Sequence, residues 1–146
     1  MVFPFNIFIL VGGVWDYNKY KNISSYAQKS VIRKQETSMK IDKYGNFVFD
    51  KWGASDGVES NFLTTDREVI HTHPNKGGGW IDAPSDFSDG SGDIPEYRAY
   101  YNRNPQSTVR FTVVGRDNIY FTTNRSLGFS PPYKTFQQNV FLGLLI

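Results

Sequence analysis

The chain has 146 residues, of which 39% are hydrophobic, 21% charged and 16% aromatic, with a formal net charge of +2. These values suit one folded domain and exclude a disordered chain, which would have fewer apolar residues and a larger net charge. The small charge gives no electrostatic reason to expect nucleic acid or an anionic membrane as a partner. Because the chain has no cysteine, any transition metal must be held by nitrogen and oxygen ligands.

Both ends of the chain are apolar. The N-terminal segment 1–14, MVFPFNIFILVGGV, lacks a basic region and a small-residue cleavage site, and it is too short to span a bilayer. We therefore predict a buried strand there, with a degenerate signal segment as the alternative. The C-terminal segment 140–146, VFLGLLI, is likewise predicted to be a core or edge strand. The compartment stays open between the cytoplasm and secretion as an effector.

The first half of the chain predicts a helix followed by a hairpin. Ser25 is the expected helix cap, with Gln28 as its capping-box partner, and the helix is expected to end near Glu36. The stretch 39–52 has apolar residues at alternate positions on both sides of a Tyr-Gly-Asn turn, which predicts a β-hairpin.

The second half predicts a strand, a long loop, a helix and another hairpin. Segment 67–73, REVIHTH, is rich in β-branched residues and predicts a strand, while 75–92 is glycine-rich and should be irregular. Segment 93–103, DIPEYRAYYNR, predicts a helix with proline in its first turn. Segment 108–124 predicts a second hairpin, and a short element should follow the Pro-Pro pair. The expected fold is a single α+β domain over 1–146, with a core of about 24–123, in which a mainly antiparallel sheet is flanked by two main helices.

The two histidines of the chain, His71 and His73, both lie in the sequence HTHP. Alternate residues of a strand point to the same face, so both imidazoles can be aimed at one point. Two imidazoles with a carboxylate and an open position form a common catalytic zinc arrangement. Such a pair on its own is more often a surface or core feature than a metal site. The Ser/Asp-rich loop that follows, and a helix beginning at Asp93, strengthen the metal interpretation.

This combination resembles the JAB/MPN (JAMM) metalloprotease family, whose pattern is an upstream glutamate, then H-[ST]-H-P, then S-x-x-D at the start of a helix. The order of predicted elements over 24–123 is similar as well, and the resemblance is closest to the JAB-like domains of bacterial polymorphic and secreted toxins. It implies a JAB/MPN-like, cytidine-deaminase-like arrangement, a Zn²⁺ cofactor held by His71 and His73, and hydrolysis of a peptide or isopeptide bond by a metal-activated water. It also implies a protein or peptide substrate and an immunity or other partner protein.

The third ligand and the motif serine are less directly given, because S-x-x-D is interrupted in FSDGSGDI. Asp93 is the expected ligand, with Ser88 as the serine that donates a hydrogen bond to the oxyanion. Asp89, with Ser85 as its serine, is the alternative pair.

The general base implied by the resemblance is Glu36, near the expected end of the first helix. Glu59 and Glu68 are the alternatives. Glu68 is three residues before His71 and should therefore point to the opposite face of the strand.

Two other functions stay open. The interrupted S-x-x-D spacing is compatible with a catalytically inactive JAB/MPN-like module for binding or assembly. A phosphoesterase built on H-x-H would generally need further histidines, and the chain has none. Trp80, in the loop beside the histidines, is the aromatic residue with the best claim to a substrate groove.

Overall fold

A computed structural model describes residues 15–137, which form one α+β domain with two helices and a six-stranded sheet. The strands are β1 (Thr37–Ile41), β2 (Phe47–Trp52), β3 (Glu68–Thr72), β4 (Arg110–Val114), β5 (Asn118–Thr122) and β6 (Lys134–Gln137). The predicted fold class is confirmed, and the packed elements extend beyond 24–123 at both ends. The strands predicted at 1–14 and 140–146 lie outside the described residues.

The first helix, α1 (Tyr17–Arg33), begins earlier than predicted. Its N-cap is Asp16, whose side chain accepts a hydrogen bond from the Lys19 N–H at 2.9 Å. The prediction of a cap at Ser25 is wrong, because Asp16 already satisfies the first turn and Ser25 lies inside the helix. The predicted end near Glu36 is wrong as well, since Lys34 takes a left-handed φ of 55° and terminates the helix.

The sheet has the order β2-β1-β3-β4-β5-β6, so β3 lies near its centre. All neighbouring strands are antiparallel except β3 and β4, which are parallel. A parallel pair requires a long crossover. Here the crossover consists of the glycine-rich loop and α2 (Asp93–Arg103), whose bounds match the predicted helix. Both predicted hairpins are confirmed, and the short element expected after the Pro-Pro pair is the strand β6.

The two helices pack on opposite faces of the sheet, and each covers its own hydrophobic cluster. Ile70 of β3 belongs to the cluster under α1, whereas its neighbour Val69 belongs to the cluster under α2. Because side chains alternate along a strand, His71 shares the α2 face with Val69, and Thr72 faces α1. The histidines are thereby directed to the side of the sheet on which α2 begins.

An ion pair between buried Glu68 and partly buried Arg110 joins β3 to β4 on the α1 side. Arg110 Nη2 lies 2.8 Å from Glu68 Oε1. The same carboxylate accepts hydrogen bonds from Trp15 Nε1 at 3.0 Å and from the Thr112 hydroxyl. Glu68 is thus fully engaged in holding the sheet together.

Among residues 15–137, no helix combines the length and apolar character needed to cross a membrane.

Candidate metal centre

The two imidazoles converge on one point above the sheet. β3 is paired on both sides around His71, which lies opposite Ser38 of β1 and Val113 of β4. The extended path continues past Thr72, because the His73 N–H donates to the Val114 carbonyl at 3.0 Å. Both side chains are buried, and their Nε2 atoms are 3.0 Å apart. The alternation expected of a strand therefore places the two nitrogens together.

Asp93, the first residue of α2, completes a triangle with the histidines. Its Oδ2 lies 3.4 Å from His71 Nε2 and 3.3 Å from His73 Nε2. Ligands about 2.0–2.1 Å from a tetrahedral zinc are separated from each other by about 3.3 Å. The three observed separations are close to that value, and a set of two nitrogens and one oxygen suits zinc in a chain without thiolates. These residues fit a zinc ion.

Ser85 holds Asp93 in place. The Ser85 N–H donates to Asp93 Oδ2 at 3.0 Å, and the Asp93 N–H donates to Ser85 Oγ at 2.9 Å. The Ile94 N–H donates to the Ser85 carbonyl at 2.9 Å. Gly92 makes this close approach feasible: its φ is +113°, and a Cβ there would lie 2.8 Å from the Ser85 carbonyl oxygen. A glycine is required at this position.

Glu36 lies across from the histidines, immediately before β1. Its backbone is fixed by hydrogen bonds to Ala54 and Gly53 at 2.8 and 2.7 Å. Its carboxylate oxygens lie 4.0 Å from His71 Nε2 and 3.9 Å from His73 Nε2, and the three groups form a cluster within 4.8 Å. Those separations exceed the roughly 3.3 Å between ligands of one tetrahedral zinc. Glu36 is therefore better placed beside a bound ion than as a ligand, which is where a general base is needed.

Thr72, the β3 residue between the two histidines, points to the α1 face of the sheet and binds the segment that follows Glu36. Its hydroxyl accepts a hydrogen bond from the Thr37 N–H at 2.9 Å and lies 2.6 Å from the Ser30 hydroxyl. Ser30 in turn donates to the Gln35 carbonyl. The end of α1 and the residue after Glu36 are thus fastened to the histidine strand.

The remaining predicted site residues lie farther from the centre. Ser88 and Asp89 are exposed, and the Asp89 carboxylate accepts hydrogen bonds from Ser91. Glu59 is exposed and lines a cavity that also contains His71. Glu68 faces the opposite side of the sheet, in agreement with its position three residues before His71.

The charges of the centre shift its pKa values in opposite directions. Burial raises the pKa of Glu36, partly offset by His71 and His73. Burial acts to lower the pKa of His71, but Asp93 and Glu36 outweigh it and raise that pKa to about 9. Burial acts to raise the pKa of Asp93, whereas the two histidines hold it well below its ordinary value. A raised pKa is the direction that favours proton uptake by the Glu36 carboxylate.

Two cavities flank the centre. The loop-side cavity, about 220 Å³, contains Glu36 and His73 and is walled by Trp80, Ile81 and Phe87. The helix-side cavity, about 390 Å³, contains His71 and Asp93 and is walled by α2 and the segment around Glu59. Both cavities thus border the histidines, and Trp80 lines the one that contains Glu36 and His73.

Sequence reasoning missed the roles of Ser85 and Thr72. Ser85 was predicted only as the alternative motif serine. Its hydrogen bonds to Asp93 join residues eight apart in the sequence, and no local sequence pattern predicts them. The signal for Thr72 was present in the H-[ST]-H pattern, but its hydroxyl acts on the face away from the histidines.

Comparison of the chain with protein-family models, with curated proteins and with solved structures found no match in any of the three. The resemblance to the JAB/MPN family stays a prediction from the motif residues.

Proposed function

We propose that this chain is a zinc-dependent hydrolase of the JAB/MPN (JAMM) type that cleaves a peptide or isopeptide bond. The observation that carries the proposal is the triangle of two Nε2 atoms and one Oδ2 atom with edges of 3.0, 3.3 and 3.4 Å. The Glu36 carboxylate beside it supports a hydrolytic role over a purely structural one, because structural zinc sites are closed by a fourth protein ligand.

In this proposal, three residues bind the metal ion and a fourth transfers a proton. His71, His73 and Asp93 would hold the ion, which would supply Lewis-acid polarisation and make a water molecule more acidic. Glu36 accepts a proton from the attacking water and delivers it to the leaving amine nitrogen.

The serine of the family pattern has two candidates in this chain. Ser88, expected from the resemblance, is exposed and is not among the residues that line either cavity at the centre. Ser85 lines the loop-side cavity and binds Asp93. We therefore assign Ser85 the positioning of Asp93. The further proposal of a toxin or effector domain, with an immunity or other partner protein, derives from the resemblance alone.

Metal content is the first test. The chain has two histidines and no cysteine, so the untagged protein can be loaded with zinc, desalted and measured by elemental analysis without interference. We expect one equivalent in the wild type and in Asp89→Asn, and a loss in His73→Ala and Asp93→Asn. Zinc retained by Asp93→Asn and lost by Asp89→Asn would transfer the ligand role to Asp89. Equal zinc in His73→Ala and wild type would contradict the proposal.

Catalysis is tested on the zinc-loaded protein with a mixture of unfolded proteins and ubiquitin-like conjugates, in which new amino groups are detected by labelling and mass spectrometry. Glu36→Gln should keep its zinc and lose hydrolysis, whereas Glu59→Gln should keep both. Stoichiometric zinc without new amino groups in the wild type would favour the inactive binding or assembly module.

A further inference from the structure

Tyr97 of α2 carries a buried hydroxyl that has no hydrogen-bond partner among residues 15–137. Its side chain is 5% exposed and lines the helix-side cavity together with His71 and Asp93. The ring is stacked on Phe111 with centroids 4.3 Å apart and planes 10° apart, which fixes where the hydroxyl lies. The wall of the cavity thus includes a side chain whose hydroxyl has no partner among the described residues.

The neighbouring tyrosines of the same helix behave differently. The Tyr100 hydroxyl lies 2.9 Å from the Ser107 hydroxyl, and the Tyr101 hydroxyl donates to the Val109 carbonyl. Buried polar groups are nearly always paired, because an unpaired one loses its hydration without compensation. Phenylalanine at position 97 would make the same stacking contact without that cost. The hydroxyl therefore indicates a partner that enters from the cavity.

The groups around the Tyr97 hydroxyl determine whether its partner is a hydrogen-bond donor or an acceptor. Burial, with the nearby carboxylates of Asp93, Glu96 and Glu36, raises the pKa of the Tyr97 phenol well above its usual value. The group stays protonated and acts as a donor, so its partner must supply an acceptor. Oxygen atoms of a substrate held beside His71 and Asp93 are acceptors of this kind.

We propose that the Tyr97 hydroxyl donates a hydrogen bond to an oxygen atom of the ligand bound at the metal centre, and that the helix-side cavity receives that part of the ligand. This rests on the proposed zinc site and adds a substrate-binding residue to it. For an amide substrate, the acceptor class is a carbonyl oxygen on the α2 side of the bond that is cleaved.

The test uses the Co²⁺-loaded protein, whose visible absorption reports ligand binding, and two small probes. Acetohydroxamate binds a metal ion through oxygen and presents acceptor oxygens, whereas imidazole binds through nitrogen and presents none. The variants are Tyr97→Phe and, as matched control, Tyr101→Phe, which removes from the same helix a hydroxyl that already has a protein partner and whose residue lines neither cavity. The affinity of each protein for Co²⁺ is measured in parallel by competition with a chelator.

We expect Tyr97→Phe to weaken acetohydroxamate binding by about tenfold to a hundredfold, as for a hydrogen bond to a charged acceptor. Imidazole binding and Co²⁺ affinity should be unchanged, and Tyr101→Phe should match the wild type for both probes. The melting temperature of Tyr97→Phe should be equal or higher, because an unpaired buried hydroxyl is removed.

Three results would overturn the inference, and they are distinguishable. Unchanged acetohydroxamate affinity in a Co²⁺-loaded Tyr97→Phe would refute the ligand contact and leave the metal site standing. Weaker binding of both probes, or of Co²⁺ itself, would show that the hydroxyl supports Asp93 instead of the ligand. Failure of the wild type to bind Co²⁺ or zinc would refute the proposed function, and this inference with it.

Discussion

Gly92→Ala should weaken zinc binding at the proposed metal centre, although Gly92 is not one of the proposed ligands. A Cβ at this position would lie 2.8 Å from the Ser85 carbonyl oxygen and 2.9 Å from its Oγ. The backbone of Ser85 must therefore move away, which weakens the two hydrogen bonds that position Asp93. Loss of such supporting contacts to a ligand typically lowers metal affinity by about 10–100-fold, and that is the effect we expect on zinc.

The assay is competition for zinc with a chromophoric chelator, and Gly90→Ala is the control. Gly90 lies in the same loop with a φ of +86°, but a Cβ there would meet no atom within 4 Å. Both substitutions place alanine at a positive φ, which L-residues disfavour. The two variants thus differ in whether the new Cβ meets Ser85, and in the degree of backbone strain. Equal zinc affinities of the two variants would refute the role assigned to the Ser85–Asp93 contact.

Three further predictions concern the sheet and the charges around the centre. Thr72→Val removes the acceptor of the buried Thr37 N–H and should lower the free energy of unfolding in urea by about 2 kcal/mol, whereas Thr72→Ser, which keeps the hydroxyl, should lose less; the reverse order would contradict the network. His71 has a folded pKa of about 9 against 6.5 for a free imidazole, so in the metal-free protein its stabilisation is complete below pH 6.5 and is lost as pH rises through 9. Urea unfolding across that window should show the loss, and His71→Asn should abolish it. Glu68→Ala leaves the partly buried Arg110 without its carboxylate partner and should lower the free energy of unfolding by about 3 kcal/mol, with zinc content unchanged. A variant as stable as the wild type would contradict the role given to this ion pair.

The elements that follow from the sequence are those with a local signal. The bounds of α2 are predictable because Asp93 and Pro95 are favourable in a first helical turn. The start of α1 was missed because a serine inside the helix was taken for its cap. Ser24, beside it, shows how the helix tolerates such residues: its hydroxyl donates to the Tyr20 carbonyl one turn back at 2.6 Å.

The residues of the candidate site likewise fall into those with a local sequence signal and those without one. The convergence of His71 and His73 follows from the period of two along a strand, which local sequence contains. The hydrogen bonds between Ser85 and Asp93, and the unpaired hydroxyl of Tyr97, depend on how a long loop and a helix pack on the sheet. Spacing rules carry no information of that kind, so only the folded structure reveals them.

The central place of β3 has a consequence for amide exchange and for release of a bound ion. The backbone at His71 is paired with β1 and β4 at once, so opening it requires both ladders to separate. The loop 75–92 has no such double support, and its local opening should cost far less free energy. We therefore expect slow exchange at His71 and fast exchange in the loop. An ion could leave when the loop opens and Asp93 is released, while the two imidazoles stay in register for its return.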